Sequence, residues 1–401
     1  MTEDKKILHI STIDVGGSYN AAKRLNEMLT EHGIDSKVLV RTKTKADSDV
    51  VEAFDNGWDR FISKCKNLIN LMFKKGEVKR DVLGTDLTNN PLVQEADIIF
   101  LHWVSTFLSP KQIYEISKLE GKRVIFDMHD MWLFTGGCHV DRRCGHYANE
   151  CKDCPMAGNS AHISFERKKK WITKADLEIV GPSNWIVEEA KKSSITNGKN
   201  ISVLPNVYDA KTFHTVDSDE KNTIRKKLGI DQDKKVVLFG AADTGTKNSN
   251  KGFDYLLNAL KALDMSDKQL VVIGNADAGA KEVLKAYDVL YKGFIADESA
   301  LADIYRSADV FVNPSLQESF GYTVCESMAC GTPAVAFAVG GMLDQISHRE
   351  NGYLAKFCDS DDLAKGLGFV LENSSELGRR AAVAAHRYSY DEAYEKVKAM
   401  L

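Results

Sequence analysis

Two carboxylates, Glu318 and Glu326, are separated by seven residues in the segment Asn313-Pro314-Ser315-Leu316-Gln317-Glu318-Ser319-Phe320-Gly321-Tyr322-Thr323-Val324-Cys325-Glu326. The segment leaves an apolar, strand-like run at Val310 to Asn313, turns at Pro314 and Ser315, and opens a helical pattern near Gly321. A helix starting there points free backbone N–H groups and its positive dipole end beyond the strand, which suits an anionic phosphate. Glu318 falls in the turn and Glu326 lies more than one helical turn inside. At a rise of ~1.5 Å per residue, the two carboxylates reach opposite ends of one extended ligand instead of forming a catalytic pair. The alternative is a carboxylate that complements the helix dipole and a solvated helical Glu.

Three further groups carry chemistry. Gly16-Gly17 follows the first apolar run and precedes a helical pattern containing Ala21, Ala22 and Leu25; glycines there let the backbone approach a ligand closely, although they also make an ordinary tight turn. Lys247 and Lys251-Gly252 follow a strand that ends at Gly240, bringing positive charge to the start of an amphipathic helix, where a leaving diphosphate needs it; solvated loop lysines are the alternative. His129 and Asp130 close the run Val124 to Met128, a strand end at which a histidine either meets substrate or settles a turn, with Asp127 and Asp130 both placed to orient it.

Half of the eight cysteines, Cys138, Cys144, Cys151 and Cys154, fall in one short stretch spaced C-x5-C-x6-C-x2-C, with His139 and His146 between them. In a reducing compartment the natural use of such a set is tetrahedral zinc coordination of a structural kind; an iron-sulfur cluster, a redox pair and plain reduced thiols compete with it. Four D-x-D pairs, at Asp47, Asp217, Asp231 and Asp359, sit in polar, turn-like surroundings and read as solvated acidic loops, so no catalytic metal is expected.

These groups have to be positioned by something, and the apolar pattern supplies it. Strand-like runs at Ile7 to Ile10, Ser36 to Val40, Ile98 to His102, Val124 to Met128 and Leu177 to Gly181 alternate with helical patterns, the βαβ signature of a parallel sheet. A second series runs from Lys235 to Gly240 through Gln269 to Gly274 and Val310 to Asn313 to Ala334 to Ala338. The fold class is therefore α/β, two Rossmann-like doubly wound domains facing a cleft. The polar stretch Ser193 to Asn200 sets a boundary giving domains 1–197 and 198–385, and 386–401 supplies a last helix.

Composition excludes other classes. The 401 residues are 43% hydrophobic with a net charge of -4, from 53 basic against 57 acidic side chains, which argues for a globular protein and against a nucleic-acid partner. No apolar run approaches the ~18 to 20 residues that span a bilayer. A charged start leading straight into a strand gives the expectation of a cytoplasmic protein. One local feature, residues 60–80, places Arg60, Lys64, Lys66, Lys74, Lys75, Lys79 and Arg80 around Leu68, Ile69, Leu71, Met72 and Phe73. It fits an anionic membrane surface, and equally a helix whose apolar face joins the core.

The Glu318 to Glu326 segment, with its Pro-Ser turn and its exit at Cys330-Gly331-Thr332-Pro333, resembles the E-x7-E region of retaining glycosyltransferases of family 4, which have the GT-B fold. The likeness extends through Pro182-Ser183-Asn184-Trp185, Leu204-Pro205-Asn206 and Gly340-Gly341 with Asp344. It implies that Glu318 contacts the donor sugar, Glu326 the ribose, and the backbone of Ser319, Phe320, Gly321 and Tyr322 the diphosphate. It further implies that Gly16 and Gly17 close over the phosphates, that Lys251 neutralises them, and that His129 stands beside the sugar and acceptor. Relatives carry Arg directly after the strand glycine; Ala241 follows here, leaving Lys247 as the candidate for that role. The last helix of such proteins packs back on the first domain.

The implied activity is transfer of a hexosyl unit from a nucleotide diphosphate sugar, without a catalytic metal, to a growing surface polysaccharide or lipid-linked glycan. The basic stretch 60–80 would hold the protein on the inner face of the membrane. A sugar-nucleotide epimerase or phosphorylase uses the same fold, and a zinc-stabilised interaction scaffold without catalysis is the third reading.

Overall fold

A computed structural model describes residues 5–45, 49–54, 56–72, 78, 80–244 and 249–401. The chain divides into two compact units, Met1–Val207 with Tyr394–Leu401, and Tyr208–Ala393. In the first unit the elements are β1 (Ile7–Ile13), α1 (Gly17–Glu31), β2 (Ser36–Thr42), β3 (Val50–Glu52), α2 (Gly57–Met72), α3 (Pro91–Glu95), β4 (Ile98–Leu101), α4 (Pro110–Ile116), β5 (Arg123–Asp127), α5 (Asn159–Ile172), β6 (Glu178–Gly181), α6 (Asn184–Lys191) and β7 (Ile201–Val203). Its seven strands form one parallel sheet in the order β3-β2-β1-β4-β5-β6-β7.

The second unit holds α7 (Ser218–Leu228), β8 (Lys235–Thr244), α8 (Phe253–Ala262), β9 (Lys268–Ala276), α9 (Ala278–Leu284), β10 (Val289–Gly293), α10 (Glu298–Ser307), β11 (Val310–Asn313), α11 (Tyr322–Ala329), β12 (Ala334–Phe337), α12 (Met342–Gln345), β13 (Gly352–Ala355), α13 (Ser360–Glu372) and α14 (Ser374–Ala385). Six parallel strands run β10-β9-β8-β11-β12-β13. A last helix, α15 (Tyr390–Met400), starts in this unit, and its residues from Tyr394 onward belong to the first.

The central strands of both sheets are covered on both faces, which is why β4 and β11 are buried at every residue. In β8, Val236 and Leu238 join Phe311 and Ala334 in one core cluster, while Val237 and Phe239 join Val310, Val312 and Val335 in another. The period of two along each strand sorts the side chains between the two faces. Helix starts are fixed by short acidic side chains: the Glu220 N–H donates to Asp217 at 2.9 Å and the Asp362 N–H to Asp359 at 2.9 Å. Asp231 accepts from the Asp233 N–H at 2.9 Å in a local turn. Three of the four D-x-D pairs therefore cap helices or close turns; Asp47 lies outside the described residues.

Two sequence readings need correction. The boundary at 197/198 comes too early, because β7 still pairs with β6, from Ile201 opposite Ile179 to Val203 opposite Gly181, and so belongs to the first sheet. The alternative that places the apolar face of the basic helix in the core also fails. In α2 the buried residues are Ser63 and Asn70, whereas Trp58, Phe61, Leu68, Leu71 and Met72 are exposed, Met72 by 83%. Asn70 turns inward because its side chain pairs with the Leu83 backbone, donating to the carbonyl at 2.7 Å and accepting from the N–H at 3.0 Å. Lys74, Lys75 and Lys79 of the basic stretch lie outside the described residues.

Candidate active site

In open parallel sheets ligands gather beyond the carboxyl ends of strands where the strand order reverses. In the second sheet this point lies between β8 and β11, and the predicted residues converge on it. After β11, whose four residues are all buried, Asn313 accepts the Ser315 N–H at 3.1 Å and starts the turn that carries Glu318. Two neighbouring loops grip this turn. The Leu316 N–H donates to Asn250 O at 2.8 Å and Asn250 Nδ2 to Gln317 O at 3.0 Å; on the other side the Gly341 N–H donates to Glu318 O at 2.9 Å and Gln345 Nε2 to Phe320 O at 2.6 Å. These contacts explain two glycines. A Cβ on Gly252 would stand 1.9 Å from the Pro314 carbonyl oxygen, and one on Gly340 would stand 1.9 Å from that of Glu318.

The result is an ion pair at the mouth of the switch point: Lys251 Nζ donates to Glu318 Oε2 at 3.0 Å, both side chains about a quarter exposed. Just beyond, Gly321 at φ 90° caps α11, and the first N–H bonds inside the helix are those of Val324 and Cys325 to Gly321 O, at 3.0 and 3.1 Å. The Ser319 to Tyr322 backbone thus lies at a helix start beside an ammonium group. The Phe320 ring is a core residue, 3% exposed and edge-on to Tyr388 at 5.3 Å, so only its backbone can serve a ligand. Glu326 points inward, 5% exposed, and accepts from Tyr305 Oη at 3.0 Å, which removes the reading of a solvated helical Glu. Lys247 lies outside the described residues.

In the first sheet the order reverses between β1 and β4. Gly16 caps α1 at φ 94°, and Gly17 is the helix's first residue. His129 stands just past β5 and is not alone. His9 Nδ1 lies 2.9 Å from His102 Nε2, and His102 Nδ1 lies 2.9 Å from His129 Nε2. Asp127 Oδ2 is 3.4 Å from His102 Nδ1 and 3.6 Å from His129 Nε2. Burial pushes all three imidazoles below the usual histidine range, His102 to about 3, and raises the Asp127 carboxyl. Burial alone would raise Asp130 too, but His139, whose Nδ1 is 2.6 Å away, outweighs it and holds that carboxyl low.

His9, His102 and Tyr305 were missed by sequence reasoning. His102 directly follows a buried strand and His129 stands just past another, a signal that was present, whereas His9 sits inside β1 and is recognisable only once β1 and β4 are known to be neighbours.

Cys138, Cys151 and Cys154 are buried in the first unit's core, Cys144 is half-buried, and all are free thiols. Burial pushes Cys138 up to about 12 and Cys151 to about 11. The Gly136 N–H donates to Cys151 Sγ at 3.1 Å. Among the described residues, the sets that bring three ligating atoms within 4.8 Å of one another are His102, Asp127 and His129, and Glu150, His162 and Glu166. The cysteines do not stand in that arrangement, so a shared ion would have to draw their sulfurs together.

A family described as "Glycosyl transferases group 1" matches residues 220–387. An uncharacterised glycosyltransferase of Methanocaldococcus jannaschii is 30% identical over 334 residues, 77% of this chain and 84% of that protein. Mannosylfructose-phosphate synthase of Agrobacterium fabrum is 30% identical over 205 residues, 47% of this chain, and the match spans less than half, 44%, of that relative. Among solved structures, HepE of Anabaena in complex with UDP and glucose aligns with a TM-score of 0.65 over 99% of both chains at 16% identity. Sucrose-phosphate synthase from Thermosynechococcus elongatus aligns with a TM-score of 0.70 over 99% of this chain and 98% of that one, at 18% identity. At these identities the likeness speaks for the GT-B fold alone.

Proposed function

The chain belongs to the glycosyltransferases, as its relative from Methanocaldococcus shows at 30% identity across 77% of this chain, and from that premise we propose that it is a retaining hexosyltransferase of family 4. The donor is a nucleotide diphosphate sugar, and the acceptor a growing surface polysaccharide or lipid-linked glycan. The observation that supports this reading is the Lys251 to Glu318 ion pair just before α11, a cation suited to a diphosphate beside a carboxylate suited to sugar hydroxyls. HepE of Anabaena, which shares the fold, is known with UDP and glucose.

In this reaction the bond from the anomeric carbon to the diphosphate oxygen breaks with its electron pair going to the phosphate. The same phosphate accepts the acceptor's hydroxyl proton, and the new glycosidic bond forms on the face just vacated, so the configuration is retained and no enzyme nucleophile is needed. Lys251 and the Ser319 to Tyr322 backbone stabilise the charge that develops on the diphosphate. Glu318 holds donor-sugar hydroxyls, Glu326 the ribose, and Gly16 and Gly17 the phosphates. His129 meets the sugar or acceptor. No catalytic metal enters this scheme. Membrane attachment through α2, on the cytoplasmic face, is supported by its outward apolar residues and by Lys64 and Lys66 on the same helix. Zinc in the cysteine loop is supported by four thiols in one short stretch and by the N–H bond to Cys151, and its role is structural.

The test is to incubate the purified protein with a panel of uridine, guanosine and adenosine diphosphate sugars and measure nucleotide diphosphate release, with Glu318→Ala as control. Release from one donor that depends on Glu318 supports the reading. No release, together with no calorimetric binding of any nucleotide diphosphate, overturns it.

A further inference from the structure

The three imidazoles of the first unit form a row whose geometry decides which proton each ring carries. His9 lies opposite Phe100 in the register of β1 and β4, and Phe100 lies opposite Ile125 of β5. Two residues further along the same face stand His102 and Asp127, and then His129. Parallel strands are spaced ~4.8 Å apart, and the ring centroids follow at 5.1 Å from His9 to His102 and 5.1 Å from His102 to His129, with interplanar angles of 29° and 12°. Each centroid separation is what a 2.9 Å N···N distance plus one ring radius at either end produces. The rings therefore meet edge to edge in line, as in an N–H···N hydrogen bond. Two histidines sharing a metal ion would hold their nitrogens further apart, with the ion between them.

Each link in the row takes one proton, and two polarities satisfy both links. In the inward polarity, His129 Nε2–H donates to His102 Nδ1, His102 Nε2–H donates to His9 Nδ1, and the last proton sits on His9 Nε2. That atom is buried and, among the described residues, meets no hydrogen-bond partner. A buried N–H without an acceptor carries the full desolvation penalty of the donor. In the outward polarity, His9 Nδ1–H donates to His102 Nε2 and His102 Nδ1–H donates to His129 Nε2; Asp127 Oδ2 lies beside this link in either polarity, 3.4 Å from His102 Nδ1 and 3.6 Å from His129 Nε2. His9 Nε2 is then a bare lone pair, and buried acceptors without a partner occur more often in folded proteins than buried N–H groups without one. The buried end of the row thus sets the polarity at the other end.

We propose that His9 and His102 are positioning residues that hold His129 in the tautomer with its proton on Nδ1, so that His129 offers an N–H donor to an oxygen of the bound substrate and does not act there as a base. That His129 meets substrate rests on the transferase reading above; the tautomer itself does not. His129 lines a small hollow with Trp103, Asp130 and Trp132, and the charged groups facing it are Asp127 and Asp130. A fixed donor suits a reaction in which the departing phosphate takes the acceptor's proton, since a second base would be redundant.

The experiment uses full-length protein labelled with 15N-histidine, with each ring's tautomer read from two- and three-bond nitrogen–proton correlations and the His129 signal identified by its loss in His129→Asn. The expected wild-type spectrum shows a protonated Nδ1 and a bare Nε2 on His129. His102→Phe removes the donor to Nε2 and should move the His129 proton to Nε2, toward Asp127. His102→Asn places an amide N–H where the His102 Nδ1–H was, and should keep the wild-type tautomer. Turnover should fall on the order of a hundredfold in His102→Phe, as when a positioned donor is lost, and stay within several-fold of wild type in His102→Asn. A wild-type His129 protonated on Nε2 would overturn the proposal, as would one stoichiometric metal ion in the purified protein that is lost with any of His102, Asp127 or His129. If His102→Phe does not fold, the wild-type spectrum decides alone. The spectra need no glycosyl transfer, so failure of the donor panel and failure of this proposal are separate outcomes.

Discussion

Lys251 Nζ lies 3.0 Å from Glu318 Oε2, joining the loop after β8 to the turn after β11, two strands that are neighbours in the sheet although 67 residues separate the partners. The pairing holds both side chains at the start of α11, where a diphosphate would give the ammonium a second anion. Lys251→Ala and Glu318→Gln should each lower turnover about a hundredfold, with small effects on stability because both groups are partly exposed. The double variant should lose much less than the product of the two, since the residues act as a unit. Steady-state kinetics of the four proteins checks this; near-normal turnover in either single variant would remove that residue from the site.

Tyr305 supplies a hydroxyl donor, at 3.0 Å, to the buried Glu326 carboxylate. Tyr305→Phe keeps the ring packing against Phe311 and removes that donor, so a loss of about 1 to 3 kcal/mol is expected in urea unfolding. A weaker donor affinity should accompany it, read as a raised KM for the nucleotide sugar.

The histidine row makes stability depend on pH. His9, His102 and His129 all have folded pKa values below their unfolded value of 6.5, His102 at about 3. In that window the unfolded chain binds more protons, so this contribution to stability is complete above pH 6.5 and is lost as pH falls below it. The slope reaches at most about 1.4 kcal/mol per pH unit for a single histidine, in the range between its unfolded and folded pKa values. Asp127, raised by burial, binds its proton earlier in the folded state and offsets part of the loss toward the lower end. Urea midpoints between pH 7.5 and 5 should fall in the wild type and fall less steeply in His102→Asn. A flat wild-type profile would contradict the burial of neutral rings.

Helix α2 should bind vesicles that contain anionic lipid, weakly enough that raised salt releases it. Phe61→Glu with Met72→Glu should abolish sedimentation with the vesicles without shifting the melting temperature, because these side chains are 55% and 83% exposed. Wild-type protein that stays in the supernatant at low salt would sink the membrane reading.

Purified protein should carry one equivalent of zinc by atomic emission, and Cys138→Ser with Cys151→Ser should lower both the zinc content and the melting temperature. Metal-free protein with an unaltered melting temperature would leave the loop as four reduced thiols.

Much of this architecture could be read from residue types. Val310 to Asn313 coincides with β11 because a buried parallel strand is an unbroken apolar run, and Pro314 ends it sharply. Gly321 marked the start of α11 because only a residue free to adopt positive φ fits that cap. Other features depend on which strands are neighbours. Spacing identified Lys251 and Glu318 separately, but nothing local says that β8 lies beside β11. The histidine row needs β1, β4 and β5 side by side before its members meet. For α2, periodicity shows an apolar face and cannot tell which way it points; the decision rests on Asn70 bonding to the Leu83 backbone, a contact between segments.

The first unit is discontinuous in the chain, and this bears on how it is made. Residues 394–401 belong to it, and there Arg123 binds the Met400 and Leu401 carbonyls while holding Glu178 at 2.5 Å. His32 stacks on Tyr394 with ring centroids 3.7 Å apart. During synthesis the whole second unit, Tyr208–Ala393, leaves the ribosome before these residues do. The first unit is then the earlier to be translated and the later to be finished, since its contacts with residues 394–401 wait on the last turns of α15.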